Sequence, residues 1–308
     1  AGGHLIIDEG TIISDALFGI NIKPGAIVEI KNSYLNDNYI GINLNNGAKL
    51  DLIENTTIQT LNSVKPTNHL NAEYWSQYTY CGILLNPGSF LNMGQDYNGQ
   101  SSVNHFKNIN LGIYAQSSTV LCSNANFEGI QKRLPWVSQV GSAIYLKNSL
   151  YNFIWKNNIN SSFDGIRGYK SALLCEENTI DVENIGIGSI INEGKYTIIN
   201  NNRISSKYTC IDGFYIGKGK ILDNSLDIVN SNSEVHTSGI NIRKLTSSEI
   251  SGNGVIFDQP KNKQFAILLN GGVGNIISEN FVSNHFGAQE SKIGFALLSG
   301  NRNEVKCN

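Results

Sequence analysis

A small residue followed by an apolar one returns along the whole chain, about every 22 residues or somewhat more. The pairs are Gly19-Ile20, Gly41-Ile42, Gly82-Ile83, Gly112-Ile113, Ala143-Ile144, Gly165-Ile166, Gly186-Ile187, Gly213-Phe214, Gly239-Ile240, Ala266-Ile267 and Gly294-Phe295. A second marker is an Asn shortly before an apolar residue, as in Asn104 with Phe106, Asn157 with Ile159, Asn178 with Ile180, Asn202 with Ile204, Asn253 with Val255 and Asn280 with Phe281. Five residues before that apolar residue stands another: Ile30, Ile53, Cys122, Ile154, Cys175, Ile199, Ile221, Ile250, Ile276. One residue class in one column at a fixed period means that successive units stack on one another.

The segments between these markers alternate with period two, as in Ala26, Val28, Ile30, and no stretch sustains a period of 3.6. The inward positions are rich in β-branched residues, which suit strands. Short strands joined by tight corners at a fixed length wind into a solenoid, and parallel crossovers turn right-handed. The expected fold is therefore all-β: a single-stranded right-handed parallel β-helix of about eleven coils, spanning 1–308 as one domain. About one residue in seven is Asn, a residue that accepts left-handed corner conformations. Stacked Asn amides also bond to one another along a cross-β axis.

The formal net charge is −2 and no Lys/Arg run occurs, which speaks against nucleic acid as a partner. No apolar stretch reaches the length of a transmembrane helix. The chain is in repeat register by Leu5 with no helix before it to cover the first strand edge. It reads as a piece of a larger secreted protein with flanking domains in the same polypeptide. Of the five cysteines, Cys122 and Cys175 share a column two coils apart, roughly 9.6 Å, beyond disulfide reach. These two, with Cys81 and Cys210, read as buried thiols packing as small hydrophobes. No Cys/His metal spacing occurs; no cofactor is expected, and Ca²⁺ stays open without a motif.

The Asn-x-Ile turns, such as Asn178-Thr179-Ile180 and Asn202-Arg203-Ile204, and the Gly-Ile strands resemble the right-handed parallel β-helix proteins. That broad group holds the pectate lyases, polygalacturonases, alginate epimerases and NosD-like periplasmic proteins. The segment from Gly10 to Ile20 is similar to repeat domains of large secreted proteins of Bacteroidetes-type bacteria. The resemblance implies the fold over nearly the whole chain; activity has to be read from the site. The enzyme signatures of the group are missing. Asn178-Thr179 is followed by Ile180 instead of Asp, there is no Gly-His-Gly, and the epimerase-like Asp-Pro-His is absent, the chain having only Asp258-Gln259-Pro260.

Corner lengths suggest where a ligand would sit. The corner from an Asn marker to the next Gly-Ile is short in most coils, but the connections over 59–81 and 128–142 are long and fall at the same corner, one short coil apart. Insertions on one face of a repeat protein commonly form its binding surface. They carry Glu73, Tyr74, Trp75, Tyr78 and Tyr80 in the first, and Arg133 and Trp136 in the second. An outward column after the Gly-Ile marker reads Tyr114, Tyr145, Arg167, Gly188, Tyr215. Aromatic rings there would offer apolar faces to sugar rings and polar tips to hydroxyls. The competing reading makes these tyrosines ordinary strand formers.

The acid–base candidates are Glu73, Asp164, Asp212 and His105, with Arg167 able to neutralise charge. Asp164 and Asp212 each precede a Gly-apolar pair two coils apart, which places their backbones roughly 9.6 Å from one another, near the upper end of the inverting-hydrolase range. Three readings follow. The favoured one is an extracellular or outer-cell-surface module that binds polysaccharide or a cell-surface glycan, an adhesive part. The second is a polysaccharide lyase or glycoside hydrolase acting between the 59–81 and 128–142 insertions. The third is a structural spacer.

Overall fold

The structure is a computed structural model that describes residues 3–62, 64, 77–94, 102–133, 139–192, 195–229, 237–258, 264–284 and 292–306. Among them every regular element is a β-strand, and the strands pair in parallel. By contacts between Cα atoms the chain divides into two compact units, Ala1–Phe163 and Asp164–Asn308. In each, the chain visits a first, a second and a third sheet in turn and then begins the next coil. This is a parallel β-helix.

In the first unit, the first sheet consists of Phe18–Ile22, Ile40–Leu44, Cys81–Leu85, Ile113–Gln116 and Ser142–Lys147. Its register, Ile20↔Ile42↔Ile83↔Ile113↔Ile144, follows the repeated apolar residue of the sequence. The second unit holds six such strands: Asp164–Tyr169, Ile185–Asn192, Thr209–Gly217, Thr237–Thr246, Gln264–Val273 and Lys292–Asn301. Together these give the eleven coils that the repeat implied.

The small residue of the marker is required by a close approach between coils. A Cβ on Gly41 would lie 2.6 Å from the Gly82 carbonyl oxygen, and one on Gly186 would lie 2.6 Å from that of Cys210. Neither carbonyl can retreat without breaking the sheet ladder. The register corrects the column at one coil: Ile187 pairs with Ile211 and Ile211 with Ile240, so the marker there is Cys210-Ile211 and not Gly213-Phe214. Cysteine serves because its side chain is small and apolar.

The expected inward column is buried. Ile30 and Ile53 fill it from a separate three-stranded sheet. Cys122 and Ile154, joined by Met93, fill it from the second sheet of the first unit, and Cys175, Ile199, Ile221, Ile250 and Ile277 in the second unit, each at most 1% exposed. Burying each isoleucine contributes about 1.5–3 kcal/mol. The last member is Ile277, which pairs with Ile250, while Ile276 is 41% exposed. Likewise Val282, not Phe281, pairs with Val255. A shift of one residue in a strand turns the side chain to the other face, and an approximate repeat does not fix that last step.

The asparagines form a ladder at the corner before the third sheet. In the second unit Asn178, Asn202, Asn224, Asn253 and Asn280 stack in order. Each backbone N–H and side-chain amide donates to the Oδ1 of the next at 2.9–3.1 Å. Their amides also reach the carbonyls of Cys175, Ile199, Ile221 and Ile250 one coil back. The cysteines Cys81, Cys122, Cys175 and Cys210 are buried free thiols.

Candidate functional site

In the first unit Tyr39, Tyr80, Tyr114 and Tyr145 gather at the first sheet. A buried cluster of Tyr39, Ile40, Val64, Cys81 and Leu111 carries Tyr80, Tyr114 and Tyr145 against it. Tyr114 meets Tyr145 edge-on at 5.8 Å, a register pair in adjacent strands. Tyr80 stacks on Tyr39 at 5.4 Å. Burial, with Tyr80 and Cys81 nearby, pushes the Tyr39 phenol up to about 12.

The described parts of the two insertions touch each other. The Arg133 guanidinium lies 3.7 Å over the Tyr78 ring. Gln139 donates to the Tyr80 hydroxyl at 3.3 Å. Between them the short coil is held by Asn110, whose N–H donates to Thr79 and whose carbonyl accepts from Gly141. The described ends of the two insertions therefore approach each other beside the short coil. Arg133 Nη1 is buried without a hydrogen-bond partner among the described residues, and burial lowers the pKa of this guanidinium. Glu73, Tyr74, Trp75 and Trp136 lie outside the described residues.

His105 is not brought to this surface. It sits on the third sheet in Asn104–Lys107, opposite Thr57 and Asn126. Its pKa is lowered by burial and by Lys107, against the Glu128 carboxylate.

The second unit gathers the remaining candidates on the outer side of its first sheet. Arg167 pairs with Gly188, Gly188 with Asp212, Asp212 with Asn241 and Asn241 with Leu268, one row across successive coils. Asp212 thus occupies the outward position directly after Ile211, which corrects the column in which Tyr215 was expected. The supposed equivalence of Asp164 and Asp212 also fails. Ile166 is in register with Ile187 and thereby Ile211, so Asp164 lies before the apolar marker and Asp212 after it.

Their environments differ accordingly. Asp164 is 1% exposed and fully engaged. Its Oδ2 accepts from Arg167 Nη1 at 2.9 Å, and its Oδ1 accepts from Asn184 Nδ2 at 2.8 Å and from the Ile185 N–H at 3.2 Å. Two of these bonds come from the next coil, so this carboxylate ties coils together and aims Arg167. Asp212 is half-buried and accepts a bond from Asn241 Nδ2 at 3.0 Å. Burial raises its pKa above the ordinary carboxylate value. The Arg243 and Arg167 charges and the Asn241 bond pull it down, and Asp164 adds to the rise. A carboxyl that burial makes hold its proton more tightly, beside two guanidinium groups, suits proton transfer to or from a bound group.

Beyond Asp212 the strand carries Phe214 and Tyr215, and the next strand Arg243 and Lys244. Arg243 lies 5.2 Å over the Phe214 ring and Lys244 4.1 Å over the Tyr215 ring. Asn184, Asn241, Arg243 and Lys244 are the site residues that the sequence did not single out. Admitting Cys210 as a small residue of the repeat would have placed Asp212, and then Asn241, in the outward column. Among the described residues no group of three His, Cys, Asp or Glu is placed to hold a metal ion. No helix of the described residues is long and apolar enough to cross a membrane.

No family model and no curated protein matches the chain. Among solved structures it is similar to DFA-IIIase from Arthrobacter chlorophenolicus A6 without its lid. The TM-score is 0.53 at 12% identity, covering 91% of this chain and 69% of that one. It also matches the A-modules of two Azotobacter vinelandii mannuronan C-5 epimerases. AlgE6 matches with TM-score 0.41, 10% identity and coverage of 99% and 91%. AlgE4 matches with 0.36, 9%, 96% and 91%. These are right-handed parallel β-helices, and the chain shares that fold.

Proposed function

We propose that this protein acts on polysaccharide at the outer face of the first sheet in its second unit, with Asp212 as the acid–base group. The observation that carries this reading is the desolvated Asp212 carboxyl standing between Arg167 and Arg243, with Asp164 locked in a structural ion pair. Asp212 moves a proton to or from the bound sugar, and the two guanidinium groups offset the negative charge that develops. Because Asp164 is held by three bonds, it is not free to serve as the second carboxylate of a hydrolytic pair. That favours chemistry in which one carboxyl does the proton transfer. The solved relatives named for epimerase and DFA-IIIase activity support a carbohydrate ligand only by analogy of fold. An extracellular or outer-surface location goes with a polysaccharide substrate.

The test is product release. The whole chain is incubated with a panel of acidic and neutral polysaccharides, with and without Ca²⁺, and reducing and unsaturated ends are counted. The expected result is release that falls at least about a hundredfold in Asp212→Asn. Release unchanged in Asp212→Asn overturns the assignment.

A second reading, a glycan-binding module without catalysis, is favoured by the first unit, where Tyr78, Tyr80, Tyr114 and Tyr145 share one sheet and corner with Arg133. On that reading retention by glycan, without product, is lost in Tyr145→Ala and in Trp75→Ala.

A further inference from the structure

On the first sheet of the second unit, three residues that rarely adopt the left-handed conformation do so in neighbouring coils. Ile191 has φ 57°, Tyr215 φ 56° and Lys244 φ 63°, and Gly271 continues the row at φ 79°. The register places them together: Ile190 pairs with Phe214 and Phe214 with Arg243, while Asn192 pairs with Ile216 and Ile216 with Leu245. A bulky or β-branched residue in this region is strained. The strain has a geometric product. It interrupts the in–out alternation of the strand, so that two consecutive side chains face outward. Phe214 and Tyr215 are both partly exposed, with Gly213 and Ile216 buried on either side. Arg243 and Lys244 are both exposed, with Ile242 and Leu245 buried on either side.

The result is two cation-over-ring pairs side by side, Arg243 on Phe214 and Lys244 on Tyr215. The Lys244 ammonium also donates to the Tyr215 hydroxyl. The ring beneath it and the hydroxyl beside it restrict a side chain that is otherwise floppy, which lowers the ordering cost of a contact to a ligand. Next to this pair is a depression of about 420 Å³ lined by Tyr215, Gly217, Lys244, Thr246, Gly272 and Val273. Gly217 and Gly272 leave its floor free of side chains. At Gly272 a Cβ would come within 2.4 Å of the Leu245 carbonyl oxygen, so the floor cannot be filled from there.

The charges are unequal to their surroundings. Arg167 is neutralised by Asp164 at 2.9 Å. Among the described residues, neither Arg243 nor Lys244 has a carboxylate at ion-pair distance; Asp212 acts on Arg243 from farther off. Two adjacent cations with no ion-pair partner among the described residues, each over a ring and one beside an open depression, suit an oxyanion. From Asp212 to Tyr215 is three residues along the strand, about 10 Å or somewhat less, so the depression and the carboxyl can be reached by one oligosaccharide.

We infer that the polysaccharide taken by this protein is acidic, and that its carboxylate or sulfate ester group is bound in the depression beside Tyr215 by Lys244 and Arg243. This rests on the reading of Asp212 as part of a polysaccharide site, and it names the substrate class of that site. Both sources present the same chemistry, a singly charged oxyanion on a sugar ring.

The experiment is affinity electrophoresis of the whole chain in gels containing polygalacturonate, dextran sulfate or neutral dextran, at low salt and at 0.5 M NaCl. Retardation is expected in one or both acidic gels and not in dextran, and should weaken with salt, since exposed cations are screened. Which acidic gel retards the protein identifies the bound group as carboxylate or sulfate. Lys244→Gln should weaken binding about tenfold, the loss of one charge-assisted bond. Thr246→Glu, an exposed position, should abolish it by placing a negative charge in the depression. Equal retardation in dextran, or acidic binding unchanged in both Lys244→Gln and Thr246→Glu at an unchanged melting temperature, overturns the inference. The two readings fail separately. Lys244-dependent binding with no product from any glycan sinks the acid–base role and leaves the subsite. Asp212-dependent product from neutral glycans alone does the reverse.

Discussion

Gly188 faces Asp212 in register on the adjoining strand, and a Cβ at Gly188 would lie 3.4 Å from Arg167 Nε. The glycine therefore leaves the space through which the guanidinium of one coil bears on the carboxyl two coils away. Four expectations follow from this and the neighbouring geometry.

Asp212 holds its proton more tightly in the folded chain than in the unfolded one, because burial raises its pKa above 3.8. Its contribution to stability is then full below that value and is lost as pH rises through the raised value. Asp212→Asn removes the titration. The melting temperature of the variant relative to the parent should rise from pH 3 to pH 7, in thermal scans at both pH values. A constant difference would contradict the assignment of a desolvated carboxyl, even if activity is lost.

Arg243 is the largest of the influences that lower the Asp212 pKa. Arg243→Gln should move the Asp212 titration further upward, followed by the carboxyl carbon signal in NMR and by the pH profile of product release. Movement downward, or none, would mean that the guanidinium does not act on this carboxyl.

Asn253 accepts from Asn224 twice through Oδ1 and donates through Nδ2 to Ile221, Ser251 and Asn280, all within 2.9–3.1 Å. Asn253→Ala leaves the Asn224 N–H and the Ile221 carbonyl without these partners in a buried corner. A loss of about 3 kcal/mol is expected, since each unsatisfied buried group costs about 1–3 kcal/mol. The urea midpoint measures it. A change below about 1 kcal/mol would show that water replaces the ladder.

Two glycine substitutions separate close packing from chain entropy. A Cβ on Gly186 would sit 2.3 Å from Ile204 Cγ2 and 2.6 Å from the Cys210 carbonyl oxygen, whereas one on Gly254 meets nothing within 4 Å. Gly186→Ala should cost about 3 kcal/mol in denaturant unfolding, and Gly254→Ala about 0.5 kcal/mol or less in either direction. Similar costs at both sites would remove the explanation given for the small-residue column.

Where the chain kept to its repeat, the architecture was legible in its residues. The Gly-Ile column marks strands that approach too closely for a side chain, the Asn column marks a bonded ladder, and both demand stacked parallel strands. Errors arose where the repeat was met by an unusual residue or offset by one. Cys210 took the place of a glycine, and the choice of Gly213 then moved Asp212 out of the outward column. At the coil before the last a single-residue offset exchanged Ile276 for Ile277.

The local pattern thus dictated the fold, because each coil repeats the same short-range steric and hydrogen-bonding demands. The site obeys no such repetition. Asp164 and Asp212, alike in their sequence neighbourhood, became a structural ion pair and a desolvated acid because different coils placed different partners beside them: Asn184 and the Ile185 N–H for one, Asn241 and Arg243 for the other. Desolvation and charge proximity depend on residues some 20 to 30 positions away along the chain, and only the stacked coils set which of those stand within reach.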